Sequence, residues 1–414
     1  MTNTTAGRVA TPHTLRGRSS AETRSAVLDL IRSSGVISRV DLARRSALTE
    51  ATISKIVKEL LAADFVVHAG FAESTGGKRP ALLRLNDGGV YALGLTLDYN
   101  ECTIVLCGAD GTELTRSQAP GVGRDDPPMA FDRLAAAIED LLSQQRVDRS
   151  AITGLGVASA GRRGHPLGWV DASFFDVWEP YDVEEELARR TRLAVVREND
   201  ADCAALGEFW TSQGSARDFV VVYMSHGIGC GIVINGAIYR GASGNAGEIG
   251  HTNVDPKGLP CWCGSRGCLE TVASPRAVVR NVLADARLRS TLSVDGDTEE
   301  AEVYRRFAER AAAGGDRAIA RILATATGSL AAVVGNLVNT LDLDLVVLAG
   351  SGYAGVGDAF LTAVRTRVEQ TAFMRELHPI TVRLAATGSE SAALGAASAV
   401  LHRHLTPHRS AAAT

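Results

Sequence analysis

At 414 residues, 45% apolar and 22% charged, the chain has the balance of a globular protein and is too long for one small core, so disorder is excluded and two or three domains are expected. The net charge of −4 hides an asymmetry: residues 1–85 hold 13 Lys and Arg against 7 Asp and Glu, the remainder 30 against 40, which suits an anionic partner at the N-terminal end only. Apolar runs such as Leu345–Ala349 are far shorter than the ~20 residues that cross a bilayer, and the start carries arginines without an apolar stretch; neither a membrane partner nor a secretory signal is expected, and the location read is cytoplasmic.

Residues 1–20 read as a flexible tail. The stretch "AETRSAVLDLIRSSG" spaces Val27, Leu30 and Ile31 at helical intervals and stops at Gly35, a natural C-terminal breaker. Ser38 and Asp41 form a Ser-x-x-Asp capping pair that opens a second short helix, and Thr49 can cap a third. In that third helix, Ile53, Ile56, Val57, Leu60 and Leu61 make the expected buried stripe, while Glu50, Ala51, Thr52, Ser54, Lys55 and Lys58 face outward. "FVVHAG" and "STGGKRPALLRLN" then read as two strands joined by a Gly-rich loop carrying Lys78 and Arg79. Any one of these helices alone would suit a packing module with a solvated charged face. The ordered set over residues 21–86 instead predicts a winged helix-turn-helix that binds a double-stranded DNA operator. Thr49, Ala51, Thr52, Ser54, Lys55 and Lys58 would enter the major groove, and Lys78 and Arg79 would reach phosphates or an A·T-rich minor groove.

From Val90 onward strands and helices alternate. "YALGLTLDYNECTIVLCGADGTEL" reads as a strand hairpin; "GLGVASAG", "FVVVYMSHGIGCGIVING" and "LDLVVLAGSG" are apolar strands ending in Gly-rich turns. That pattern predicts an α/β body with ligands at strand ends. Within it, "GHTNVDPKGLPCWCGSRGCLE" (250–270) places His251, Cys261, Cys263 and Cys268 inside 18 residues. In a reducing compartment, one imidazole and three thiols suit tetrahedral Zn2+, and four protein ligands close the sphere, which predicts a structural ion.

Four stretches, "ENDADCAALGE" (198–208), "GIGCGIVINGAIYRGASGNAGEIGH" (227–251), the cysteine segment and "CLE" (268–270), resemble the ROK family of repressors and sugar kinases, and "GGKRPALLRLN" resembles its winged-helix regulators. The resemblance runs from about residue 21 to 400. It implies a two-lobed, actin-like hexokinase-type body with its structural zinc beside a sugar pocket. One lobe is expected from 90–197 plus 389–405 and a second, holding zinc and sugar, from 198–388. The resemblance also implies a homodimer or homotetramer. Carried over by position, Asn199, Asp200, Glu248, His251 and Glu270 would bind the hydroxyls of a sugar or sugar-phosphate effector, with His251 facing zinc through one ring nitrogen and sugar through the other.

In the family's kinases the aspartate matching Asp200 is the base, and ATP is held by a GxDxGGT motif. Here "GLTLDYN" (94–100) stands in its place, with Thr96 for the aspartate, Asp98 and Tyr99 for two glycines and Asn100 for the threonine. A phosphate-cradling turn needs bare amides near the anion, which a fixed negative charge and a tyrosine both oppose. "SHGIG" (225–229) departs from the second phosphate motif, "GVAS" (156–159) from a Gly-Val-Pro-Gly loop, and Phe174 stands where many relatives carry an asparagine. The expectation is a ligand-responsive repressor of carbohydrate genes without catalysis. A sugar kinase with a DNA-binding head, and a regulator with a vestigial pocket, stay open.

Overall fold

The structure, a computed structural model, describes residues 20–72, 79–86, 90–123, 125–161, 178, 180–211, 216–387 and 390–405; the expected tail up to residue 19, Lys78 and Phe174 lie outside them. The chain divides into two compact units, 1–90 with 401–414, and 91–400.

The first unit runs α1 (Ser20–Ser34), β1 (Ile37–Ser38), α2 (Arg39–Ser46), α3 (Glu50–Ala62), β2 (Val66–Phe71) and β3 (Ala81–Leu85). The strands form an antiparallel sheet in the order β1-β3-β2. Both expected caps are present: Ser38 Oγ accepts from Asp41 N at 3.1 Å, and Thr49 Oγ1 accepts from Thr52 N at 3.2 Å. In α1, Val27, Leu28 and Ile31 are buried, whereas Leu30 is only half-covered. Leu61, expected in the buried stripe of α3, is likewise half-buried, because Ile53, Ile56, Val57 and Leu60 already fill the face turned to the core. The two-residue strand β1 had no sequence signal. It is too short for a period and exists only because Ile37 and Ser38 pair with Leu83 and Leu82.

The second unit holds β4 (Tyr91–Leu97), β5 (Glu101–Gly108), β6 (Glu113–Pro120), α4 (Pro127–Gln145), β7 (Ile152–Ser159), α5 (Val183–Thr191), β8 (Val195–Asn199) and α6 (Asp200–Thr211). After them come β9 (Phe219–Met224), β10 (Ile228–Ile234), β11 (Ala237–Ile238), α7 (Glu270–Ala273), α8 (Pro275–Ala284), α9 (Ala286–Leu292) and α10 (Glu300–Ala313). The chain continues through α11 (Arg317–Leu341), β12 (Leu345–Ala349), α12 (Gly357–Thr371), β13 (Thr381–Leu384) and α13 (Ser391–Leu405), of which 401–405 count with the first unit.

Among the described residues these strands make two sheets, β6-β5-β4-β7-β8 and β11-β10-β9-β12-β13. Each begins with an antiparallel meander whose first strand then pairs in parallel with the fourth, which pairs in parallel with the fifth. The same topology therefore occurs twice in one unit. The first sheet buries Leu93, Leu95 and Val157 with Phe131 and Ile138 of α4 and Leu187 of α5. The second buries Val220, Val222 and Val346 with Leu330 and Val334 of α11 and Phe360 of α12. By length and composition α11 is apolar enough to cross a bilayer, which runs against the short-run criterion applied to the sequence; its apolar residues are instead part of that core. Helix α13 lies so close to α6 that a Cβ on Gly395 would stand 1.6 Å from the Cys203 carbonyl oxygen, so only glycine fits.

Candidate functional site

A cleft open to solvent lies at strand ends of the second unit. It is lined by Leu97 at the end of β4 and by Asp98 and Tyr99 after it, from the β8–α6 junction by Asn199 and Asp200, and by Ser225 to Gly227 of the β9–β10 turn with Ile228 and Gly229 opening β10. Glu248, His251, Trp262 and Glu270 complete it. All five residues expected to meet a ligand, Asn199, Asp200, Glu248, His251 and Glu270, therefore line one cavity despite spanning 72 positions of sequence.

Local chemistry explains each placement. The chain leaves β8 and turns directly into α6, where Asn199 Oδ1 accepts from Asp202 N at 3.0 Å and Asp200 Oδ1 from Ala201 N at 2.8 Å. The flanking residues Glu198 and Asp202 are buried and share one cation: Arg240 Nη1 donates to them at 2.9 and 3.0 Å. Removing that arginine would take a cation from two buried carboxylates, so it helps hold the segment that carries Asn199 and Asp200. Sequence reasoning passed over Arg240; its signal is a partner 42 residues away, which no local pattern reveals. Gly247 has φ +90, and a Cβ there would meet the Cys230 carbonyl oxygen at 1.8 Å; this bare contact with β10 sets the position of Glu248. Glu270 opens α7, with one carboxylate oxygen accepting from Ile228 N at 3.3 Å and the other from the Trp262 indole at 3.1 Å.

The electrostatics of the cleft are strongly one-sided. Burial, reinforced by the charges of Asp98 and Glu248, pushes Asp200 up to about 7. Burial also raises Asp98, against hydrogen bonds from the Asn100, Ser225, Glu101 and Tyr99 groups that stabilise its ionised form. Tyr223, buried beside Asp200 and Asp98, is held well above the ordinary tyrosine range by burial first and by their charges second. Two of the lining rings, Tyr99 and His226, stack at 5.0 Å with 29° between planes. Asp98, Tyr99, Ser225, His226 and Trp262 were not named as ligand contacts from sequence. Asp98 and Tyr99 stood out there only as departures from a phosphate motif.

Beside the cleft, the ligand atoms of His251, Cys261, Cys263 and Cys268 lie within 4.8 Å of one another and could hold a metal ion. Two of the six separations are close to those of a tetrahedral thiolate site. Cys263 and Cys268 Sγ are 3.7 Å apart, and His251 Nδ1 is 3.5 Å from Cys261 Sγ. Zn–S bonds of about 2.3 Å and a Zn–N bond of about 2.0 Å at tetrahedral angles would give about 3.8 and 3.5 Å. The hairpin closes through Cys261 N to Ser265 O at 2.8 Å and Gly267 N to Leu259 O at 2.8 Å. At Gly267, φ is +60 and a Cβ would stand 1.6 Å from Asp255 O, so glycine is required for the sulfurs to converge. Burial pushes the Cys261 thiol up to about 12; a divalent cation would favour the thiolates. The His251 ring meets Trp262 edge to face at 4.8 Å, so the metal loop and the cleft share a wall.

In the first unit, α2 and α3 are joined by the short turn Ala47–Thr49, and the outer face of α3 is open. Thr49, Ala51, Ser54, Lys55 and Lys58 are exposed; Thr52 is half-covered, its hydroxyl 2.9 Å from that of Thr49. Arg79, immediately before β3, is exposed.

A doubled α/β body with a polar cleft at its strand ends, beside a loop of one histidine and three cysteines, is the actin-like, hexokinase-type architecture. The ROK family matches residues 93–403, and the chain belongs to that family. The xylose repressor of Caldicellulosiruptor bescii is 27% identical over 382 residues, 91% of this chain and 94% of that protein. A glucokinase of Halalkalibacterium halodurans is 29% identical over 289 residues, 69% of this chain and 87% of that protein. Among solved structures, a ROK family transcriptional regulator described as a homologue of the E. coli MLC protein superposes with a TM-score of 0.66 at 23% identity, over 93% of this chain and 98% of that one.

Proposed function

We propose that the protein is a DNA-binding transcriptional repressor of carbohydrate-metabolism genes, controlled by a sugar or sugar derivative bound in the cleft, and that it has no kinase activity. One observation carries the reading: the likeness to a xylose repressor extends over 91% of the chain, and so reaches beyond the ROK body into the N-terminal unit. That unit, over residues 21–86, acts as a winged helix-turn-helix. Its α3 enters the major groove with Thr49, Ala51, Thr52, Ser54, Lys55 and Lys58, while Lys78 and Arg79 serve the wing. Residues 90–197 with 389–405, and 198–388, form the two lobes of the body.

Asn199, Asp200, Glu248, His251 and Glu270 bind sugar hydroxyls. His251, Cys261, Cys263 and Cys268 hold a structural Zn2+ through His251 Nδ1, which leaves Nε2 for the ligand side of the ring and fixes its orientation. The absence of catalysis rests on the turn after β4. There the Asp98 carboxylate accepts from its own backbone, Asn100 N at 3.0 Å, and Thr96 Oγ1 accepts from Thr103 N at 2.7 Å. The Asn100 amide, one that an ATP phosphate would need, is occupied by the Asp98 carboxylate. A homodimer or homotetramer working on a chromosomal operator in the cytoplasm completes the reading.

The test is a gel shift of the full chain with fragments from upstream of its own gene, with and without sugars. Retardation relieved by a sugar is expected; failure to retard any promoter fragment at low salt overturns the reading. The glucokinase relative keeps a second reading alive, a sugar kinase with Asp200 as base. An ADP-release assay across a sugar panel decides it, since turnover abolished by Asp200→Asn would establish the kinase.

A further inference from the structure

Trp262 stands between two of the clustered cysteines and reaches the cleft from there. Cys261 N donates to Ser265 O at 2.8 Å and Gly264 N to Cys261 O at 3.0 Å, so Trp262 lies inside a tight turn. Cys261 and Cys263 flank it, and their sulfurs belong to the cluster whose ligand atoms lie within 4.8 Å of one another. The position of the ring therefore follows the shape of that loop. Trp262 is 39% exposed and lines the cleft, whereas the other described tryptophans, Trp178 and Trp210, are 1% and 6% exposed. Open aromatic rings beside a few fixed polar groups are what ligand clefts are lined with.

What the ring does there is visible at Glu270. One carboxylate oxygen, Oε2, accepts from Ile228 N at 3.3 Å. A Cβ on Gly227 or Gly250 would stand 2.6 or 3.3 Å from that oxygen, so bare backbone encloses it. The other oxygen, Oε1, accepts from the Trp262 indole at 3.1 Å. Among the described residues that indole is the one side chain bonded to the Glu270 carboxylate, and the described lining residues include no lysine or arginine. An indole N–H can only donate, and it sits on a rigid ring, so it fixes the rotation of the carboxylate without neutralising its charge. The same ring meets His251 edge to face at 84°, with centroids 4.8 Å apart. One side chain thus braces two of the five residues expected to meet a ligand.

We propose that Trp262 is the residue that sets the affinity of the cleft for its ligand: its N–H positions Glu270, and its exposed face is the wall against which the C–H face of a sugar ring packs. A hydroxyl arriving at Glu270 then meets a carboxylate already held in place, so less ordering is lost on binding. The cysteine loop acts on the ligand through this ring. Trp262 itself supplies none of the clustered sulfur and nitrogen atoms, so metal retention and ligand binding are separable at this position.

This inference rests on the sugar-responsive reading, and its test separates the two. The full chain, supplied with zinc, is titrated by calorimetry with D-xylose, D-glucose, D-galactose and N-acetyl-D-glucosamine. The same titrations are run on Trp262→Phe, which keeps a flat ring without the N–H, and on Trp262→Leu, which removes both. A sugar that binds the parent chain should bind Trp262→Phe more weakly by roughly threefold or more, and Trp262→Leu more weakly again. Trp262→Phe should keep its full zinc content by elemental analysis and, without sugar, melt within about two degrees of the parent. Trp262 emission, taken as the difference between the parent chain and Trp262→Phe, should be shielded from acrylamide quenching by the bound sugar. A smaller loss in Trp262→Phe, no further loss in Trp262→Leu, or no shielding overturns the inference and leaves the sugar-responsive repressor standing. Loss of zinc or a larger drop in melting temperature in Trp262→Phe also overturns it, because the ring would then serve the fold of the loop and not the cleft. If no sugar of the panel binds while promoter fragments are still retarded, the sugar-responsive reading falls and the inference with it.

Discussion

Asp200 illustrates how much a single residue's surroundings decide. Its carboxyl is raised to about 7 by burial first and by Asp98 and Glu248 second. An unfolded aspartate titrates near 3.9, so between about 4 and 7 the folded state binds more protons than the unfolded one, and stability falls as pH rises through that window. Asp200→Asn removes the penalty. Thermal or urea unfolding should find the variant more stable by roughly 2–4 kcal/mol at pH 8 and nearly unchanged below pH 4; equal stabilisation at both pH values would contradict the assignment. The proposed zinc site behaves oppositely, since it would depend on every member. Cys263→Ser removes one of four donors, so bound zinc measured by elemental analysis should fall and the melting temperature with it, as expected when binding free energy is part of folding free energy. Unchanged melting with full metal content would count against a structural ion.

At the scale of elements, close backbone approach sets the tolerances. α13 meets α6 through Gly395, where a Cβ would stand 1.6 Å from a carbonyl oxygen. Gly395→Ala must push the helices apart, and denaturant unfolding should report a loss on the order of 3 kcal/mol. α3 carries the opposite kind of surface, with Lys55 exposed. Lys55→Ala should leave the melting temperature within a degree or two. It should reduce the slope of log affinity against log salt by about one in operator titrations, which is the signature of one lost phosphate contact. The caps of α2 and α3 were legible in the sequence because Ser38, Asp41 and Thr49 act on neighbours three positions away. β1 and the half-exposure of Leu30 and Leu61 were not, because they depend on Leu83 and on which side chains had already filled the core.

For the whole molecule the proposed function is a coupling between two ligands, and coupling is reciprocal. If a sugar lowers operator affinity by some factor, the operator must lower sugar affinity by the same factor. A sugar titration of the chain with and without saturating operator DNA should therefore reproduce the ratio found in gel shifts. A mismatch between the two ratios would mean that the sugar acts at another step than equilibrium binding.

The sequence by itself determined whatever depends on near neighbours and on residue chemistry. The caps, the apolar faces of helices, the donor set His251, Cys261, Cys263 and Cys268, and the loss of bare glycines from the turn after β4 all follow from side chains within about 20 positions of each other. Only the tertiary structure decided the rest. The duplicated sheet order, the Arg240 clamp on Glu198 and Asp202, and the gathering of Asn199, Asp200, Glu248, His251 and Glu270 around one cleft join residues that are far apart in the chain. Hydrogen bonds and charges act over a few ångströms of space, and separation along a sequence says nothing about that distance until the chain has folded.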